Sequence, residues 1–253
     1  MKPVLLLEGK LALVTGAGGG IGRAIAVAYA NAGARVLITD ISDAACAETR
    51  AEVEATGASA WTFSLDVTVA EACARLAAEV QRDIGDLQVL VNNAGLMIRE
   101  TVDSPRVGDA VRRLMEVNYF GTFNVMQAFL AALRRTRGCV INIASGAALT
   151  GLAGCVGYSP SKGAVKMLTQ SMAADLAKDG IRVNAVAPGV IETAMTESTR
   201  NDPERLARFM ARIPAGRLGR PEEIAGPAVF LASDLASYVN GITLPADGGK
   251  QAV

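Results

Sequence analysis

The sequence predicts an α/β fold: a doubly wound, parallel sheet of seven strands with helices on both faces. Three observations predict it. Short β-branched or apolar runs alternate with longer amphipathic, alanine-rich stretches along the chain. The short runs are nearly continuous in Val, Leu and Ile, as strands covered on both faces must be. With 253 residues, 51% hydrophobic and 20% charged, the chain can also bury a substantial core. No linker, low-complexity segment or internal repeat divides it, so the expectation is one domain over residues 1–253.

In chain order, strand Leu11–Thr15 leads into helix Ile21–Asn31, and strand Arg35–Thr39 into helix Ala44–Ala55. Strand Ala60–Leu65 is followed by helix Val69–Asp83. Strand Leu87–Val91 precedes Val107–Arg134, read as one long helix, and strand Cys139–Ile143 precedes helix Ser161–Ala177. Strand Arg182–Ala187, helix Pro221–Leu231 and a short last strand near Ile242–Leu244 complete the alternation.

Composition narrows the function. Lys plus Arg equals Asp plus Glu at 25 each, so the basic excess of a nucleic-acid binder is missing. No stretch approaches the roughly 18 apolar residues of a membrane span. The apolar run in Met1–Glu8 is too short for a signal peptide, and the expected address is the cytoplasm. Cys46, Cys73, Cys139 and Cys155 stand far apart, without metal or redox spacing, and read as reduced, buried thiols. With no histidine, Ser-His-Asp hydrolysis, Cys-His proteolysis and histidine-ligated zinc are excluded. Acid–base chemistry must rest on Tyr, Lys, Asp, Glu, Cys or Ser, and no residue cluster calls for a metal.

The first strand runs directly into Gly16-Ala17-Gly18-Gly19-Gly20-Ile21-Gly22 and then a helix. Glycines serve there for positive φ and for close approach to a pyrophosphate, which the helix N-terminus receives with its unpaired N–H groups. A ligand-free glycine turn is the alternative; the strand-to-helix junction favours a Rossmann-like dinucleotide site. Asp40 closes the second strand about 20 residues further on, where a carboxylate binds ribose hydroxyls and repels an extra phosphate. Gly18 and Gly19 offer no cation to such a phosphate, so the expected cofactor is NAD rather than NADP. Read plainly, Asp40 is a cap before the next helix.

These residues resemble the short, single-domain branch of the short-chain dehydrogenase/reductase family. The signals fall in the family's order: Thr15-Gly16-x-x-x-Gly20-x-Gly22, Asp66-Val67, Asn92-Asn93-Ala94-Gly95, Asn118, Ser145, Tyr158-x-x-x-Lys162, and Pro188-Gly189 followed by Thr193. The resemblance spans nearly the whole chain and implies hydride transfer between the nicotinamide and an alcohol or ketone. It implies that Asp66 and Val67 meet the adenine, and that Asn92, Ala94 and Gly95 lie along the cofactor with Ile21. Val190 and Thr193, after Pro188-Gly189, would hold the carboxamide.

An unperturbed tyrosine, pKa about 10, is a poor base near neutral pH. A nearby ammonium favours the phenolate. Tyr158 and Lys162 are four residues apart, one turn of a helix, and Pro160 is tolerated if it falls in the first turn. The resemblance gives Tyr158 the acid–base role. It gives Lys162 the lowering of that pKa and the nicotinamide ribose, Ser145 the substrate oxygen, and Asn118 a water in the proton path. Singly, each has a plain reading: interface aromatic, solvated charge, turn hydroxyl, helix amide. The ordered set favours catalysis.

In relatives the segment between the Ser and the Tyr lines the substrate pocket. Here Gly146–Gly157 is almost wholly apolar, which predicts an apolar ketone or secondary alcohol touching Leu152 and Cys155. A 3-oxoacyl thioester reductase, or a polyol or sugar dehydrogenase, is the alternative. Glu192-Thr193-x-Met195-Thr196 and Gly216–Ala225 resemble beta-ketoacyl-[acyl-carrier-protein] reductases, but the glycine turn lacks the basic residue usual in those NADP enzymes. Residues 190–213 are expected to form a substrate loop. Arg99–Arg113 departs from the family's wording and reads equally as entrance or as neutral surface. Apolar residues on several faces of the two long helices (Phe120, Phe123, Val125, Met126; Met167, Leu168, Met172) predict a homotetramer, with a dimer as the alternative. A non-catalytic NAD sensor and a lyase or epimerase using NAD transiently are the competing classes; the Ser-Tyr-Lys set and the glycine spacing stand against them.

Overall fold

The computed structural model describes residues 5–253; Met1-Lys2-Pro3-Val4, part of the segment read for a signal peptide, lie outside the described residues. Seven strands form one sheet in the order β3-β2-β1-β4-β5-β6-β7. They are β1 (Leu11–Thr15), β2 (Arg35–Asp40), β3 (Ala60–Ser64), β4 (Val89–Asn92), β5 (Cys139–Ile143), β6 (Arg182–Pro188) and β7 (Thr243–Ala246). Every neighbouring pair is parallel. Parallel neighbours need crossovers, and the helices supply them: α1 (Gly20–Asn31), α2 (Asp43–Glu54), α3 (Ala70–Asp83), α4 (Val107–Met115), α5 (Gly121–Thr136), α6 (Tyr158–Leu176), α7 (Glu197–Arg200), α8 (Pro203–Met210) and α9 (Glu222–Ala232).

The alternation of the strands sorts the core into two layers. Ala12, Val14, Val36, Ile38, Val91 and Ile141 face α1 and α9. Leu11, Leu13, Leu37, Leu90 and Val140 face the layer of α3, α5 and α6. Every residue of β1 and β5 is buried, which explains their unbroken apolar wording.

Three elements differ from expectation. The long helix Val107–Arg134 is broken by a π turn at Glu116–Phe120, so Asn118 lies in irregular helix rather than in a regular interior. Helix α6 starts at Tyr158, not Ser161, because Pro160 falls inside its first turn, where its missing N–H costs nothing. The 190–213 stretch carries two short helices, α7 and α8; Asp202 caps α8 by accepting from the Arg205 N–H at 3.0 Å, with Pro203 following.

The strand order reverses at β1, which is flanked by β2 and β4. A crevice opens there at the carboxyl ends of the strands, where ligands bind in such sheets. Among the described residues no helix is long and apolar enough to cross a membrane, and no group of side chains could hold a metal.

Candidate active site

The glycine turn sits at that crevice. Gly16 has φ +61° and a Cβ there would come within 2.7 Å of the Ala94 Cα; one on Gly22 would strike the Gly16 carbonyl oxygen. The turn is therefore closed against its own helix and against the β4 turn, as a phosphate cradle must be. Helix α1 begins after Gly19 with no side-chain cap and no acidic residue in its first turn, so its leading N–H groups stay open to an anion. This is the fit a dinucleotide requires.

Asp40 ends β2 beside the turn and accepts from the Gly18 N–H at 3.1 Å and the Ser42 N–H at 3.2 Å. Ile41, next in the chain, is 75% exposed and uncharged. Arg23, the guanidinium beside the turn, is committed: it donates to the Gly18 carbonyl, to Thr49 and to Glu48 and Glu52. Asp66 and Val67 follow β3, adjacent to Asp40 in the sheet. The Thr68 hydroxyl and N–H donate to Asp66 and hold its carboxyl below the usual range, while Val67 packs beneath Gly121.

The Asn92 side chain, at the end of β4, is 4% exposed and donates through Nδ2 to Asn142 Oδ1 at 2.9 Å; it does not line the cavity beside the turn. Its neighbour Asn93 takes the forward place, donating to the Thr15 and Gly16 carbonyls at 3.0 and 2.8 Å. Residues on a strand alternate sides, so a one-residue step exchanges the roles. Ala94 and Gly95 do lie at the crevice, Ala94 with its N–H on Thr15 Oγ1 at 3.0 Å.

A cavity of about 120 Å³ lies beyond the turn, and Ile21, Gly95, Ser145, Tyr158, Lys162, Pro188, Gly189, Val190 and Thr193 all line it. Sequence-distant residues thus meet at one place. The Ser145 hydroxyl faces the same cavity as the Tyr158 phenol. Burial pushes the phenol above its ordinary pKa; the Ser145 hydroxyl and the Arg99 charge pull the other way. Lys162 is 5% exposed, donates to the Ile143 carbonyl at 2.8 Å, and is pushed down to about 8 by burial. Burial is thus the largest influence on the phenol, and Lys162 is not among the groups that shift it.

Asn118 is fully buried and saturated: Oδ1 accepts from the Leu96 N–H at 2.9 Å, and Nδ2 donates to the Leu96 carbonyl and to Ser161. It pins the β4 turn to α6. A Cβ on Gly95 would meet Asn118 Oδ1 at 3.0 Å and Lys162 Nζ at 3.3 Å, which explains the glycine.

The outer wall mixes Met97, Leu152, Met195 and Phe209 with Arg99, Thr199 and Lys250. Leu152 lines the cavity. Cys155 does not: it is 1% exposed and sits behind the wall, its sulfur 3.6 Å from Arg99 Nη1, because it bridges to Glu100 and is drawn into the packing around Tyr158. Arg99, Phe209 and Lys250 were missed as site residues; Arg99 lies in the segment that departs from family wording, and the other two carry no local signal. Arg99 makes that segment's start part of the entrance, while Arg106 turns outward to Glu100 at 2.9 Å.

The family model described as Enoyl-(Acyl carrier protein) reductase matches residues 16–251. The chain is 43% identical over 245 residues to 2-dehydro-3-deoxy-D-gluconate 5-dehydrogenase of Bacillus subtilis (strain 168), covering 96% of this chain and 95% of that one. It is 42% identical over 252 residues to galactitol 2-dehydrogenase (L-tagatose-forming) of Cereibacter sphaeroides, covering 98% and 97%. Among solved structures, a gluconate 5-dehydrogenase from Burkholderia cenocepacia J2315 in complex with NADP and tartrate superposes with a TM-score of 0.93 at 36% identity, covering 99% and 98%.

Proposed function

The chain belongs to the short-chain dehydrogenase/reductase family, and on that premise we infer that it is an NAD(P)-dependent oxidoreductase acting on the CH–OH group of a secondary alcohol, or on its ketone. The observation that carries this reading is the meeting of Ser145, Tyr158 and Lys162 with Gly189 and Thr193 in one cavity beside the glycine turn.

When bound, the nicotinamide supplies the hydride acceptor or donor. The chain's own residues manage the proton and the geometry. Tyr158 gives or takes the proton at the substrate oxygen, and the Ser145 hydroxyl beside it in the cavity donates to that oxygen. Lys162 spends one N–H on Ile143 and keeps two for the nicotinamide ribose and for drawing Tyr158 toward phenolate. Asn118 positions α6 through Ser161 and Leu96. Gly16, Gly20, Ile21 and Gly22 receive the pyrophosphate side, Asp66 and Val67 the adenine, and Val190 and Thr193 the carboxamide.

NAD is the cofactor we propose. Asp40 beside the turn, the neutral Ile41 and the committed Arg23 support it, since a 2′-phosphate would meet a carboxylate and no free cation. The Burkholderia cenocepacia relative holds NADP, so the choice rests on this chain's own residues. The substrate's carbon skeleton rests against Met97, Leu152, Met195 and Phe209. Phe120 and Met167, 53% and 55% exposed, support a homotetramer, with a dimer as the alternative, and four unpaired thiols suit the cytoplasm.

The test is production of reduced cofactor from NAD and from NADP across secondary alcohols, hydroxy acids and polyols. Wild type should favour NAD in kcat/KM, and Asp40→Ser should narrow that preference by about tenfold or more, the loss of roughly one charge contact. Preference of the wild type for NADP would reject the cofactor assignment; no reduced cofactor from any alcohol would reject the activity.

A further inference from the structure

Hydride transfer needs one cation, Lys162, yet two more reach the same cavity. Arg99 lines it with a buried Nε that has no hydrogen-bond partner. Its remaining contacts are soft: Nη1 lies 3.6 Å from the Cys155 sulfur and Nη2 donates to Thr199 Oγ1 at 3.3 Å. The adjacent Glu100 is taken by Arg106 at 2.9 Å, and among the described residues no carboxylate pairs with Arg99. Lys250 is 7% exposed, and its ammonium sits 5.1 Å over the Phe209 ring with no acceptor among the described residues.

Lys250 is placed there deliberately by its neighbours. Asp247 accepts from the Gly249 and Gln251 N–H groups, both at 3.0 Å, and Gln251 reaches Gly146 and Thr150 beside Ser145. The C-terminal turn is thereby tied to the catalytic wall. Arg99 and Lys250 act electrostatically on the same thiol, Cys155, and Arg99 also acts on the Tyr158 phenol. Both line the cavity that holds Ser145 and Tyr158, the place of the substrate oxygen in the hydride-transfer reading.

Buried charges are ordinarily paired, because an unpaired one forfeits its hydration. Lys250 feels the nearby Asp247 carboxylate, but neither it nor Arg99 makes an ion pair among the described residues, and two cations lining one cavity suit an occupant that brings a negative charge. We propose that the substrate is a hydroxy or keto acid whose carboxylate is bound by Arg99 and Lys250. The guanidinium fork matches a carboxylate in two parallel hydrogen bonds. This assignment deepens the hydride-transfer reading of the site and rests on it. The carboxylate supplies orientation, and the apolar wall carries the carbons between it and the reacting centre.

The experiment uses matched pairs in which a carboxylate is replaced by CH2OH: 3-hydroxybutyrate against 1,3-butanediol, and gluconate against sorbitol. Reduced-cofactor production is measured for wild type, Arg99→Gln, Lys250→Gln and Arg99→Lys, and the acid-to-alcohol ratio of kcat/KM is read within each variant, so a general loss of fold cancels. In wild type at least one acid should exceed its alcohol by roughly 30-fold or more, and Arg99→Gln should remove most of that ratio, as loss of one partner of a desolvated charge pair does. Arg99→Lys should restore part of it. A ratio near one in wild type, or an unchanged ratio in both glutamine variants, overturns the assignment. A second arm reads the thermal midpoint of the wild-type enzyme–NADH complex with lactate and gluconate against 1,2-propanediol and sorbitol. A rise confined to the acids, lost in Arg99→Gln, supports the carboxylate site even if neither pair is oxidised; equal effects of acid and alcohol overturn it. Alcohols oxidised as well as acids would leave the hydride-transfer reading standing and remove only the carboxylate.

Discussion

Lys162 is a residue the fold would be more stable without. Burial holds its ammonium down to about 8, against 10.5 for a free lysine. The unfolded chain keeps this proton up to about pH 10.5 while the folded chain holds it only below about 8, so stability rises with pH across that window. At neutral pH the buried charge costs a few kcal/mol, at about 1.4 kcal/mol per pKa unit. Lys162→Met should therefore raise the thermal midpoint at pH 7 while abolishing turnover, and its advantage should fade as pH approaches 10. A lower midpoint at pH 7 would show that the Ile143 hydrogen bond outweighs the charge. The spacing of Tyr158 and Lys162 was readable because helix geometry alone puts them together. The step from Asn92 to Asn93 was not, since either asparagine suits a strand-ending turn and only the register with Asn142 decides which side each takes. Arg99, Phe209 and Lys250 were hidden for a related reason: cavity neighbours drawn from the β4 turn, α8 and the C-terminal turn share no local pattern.

Among the elements, those built from periodic apolar runs were legible and those shaped by tertiary demand were not. Strands β1 and β5 coincide with their apolar runs because both faces are buried. The π turn at Glu116–Phe120 has no signature in residue type; it exists because Asn118 must meet Leu96 and Ser161 at once, and such bulges cluster at functional sites. Helix α8 did carry a signal, Asp202-Pro203, a capping acid followed by a proline suited to a first turn. Its hydrophobic face is thin, with no buried residue, so the cap bears more of the weight than in a core helix. Asp202→Ala should loosen residues 203–210, seen as faster amide exchange there, and raise KM because Phe209 lines the cavity. Unchanged exchange would mean that packing alone holds α8.

At the scale of the molecule, the strand order and the reversal at β1 set where chemistry can occur; the strand–helix alternation made the parallel sheet legible, but not the order in which its strands lie. The sheet also leaves Phe120 and Met167 outward, 53% and 55% exposed. Light scattering on wild type should give four chains per particle, and Met167→Glu should shift the population toward smaller species; a monomeric wild type would contradict this. The central claim is narrower, that the Tyr158 phenol carries the proton of a hydride transfer. Tyr158→Phe removes one oxygen atom and leaves the ring to fill its buried place. Its kcat on a substrate of the wild type, measured beside its affinity for NADH, tests the claim most directly. Turnover should fall by about 100-fold or more with NADH still bound; turnover near that of wild type would contradict it.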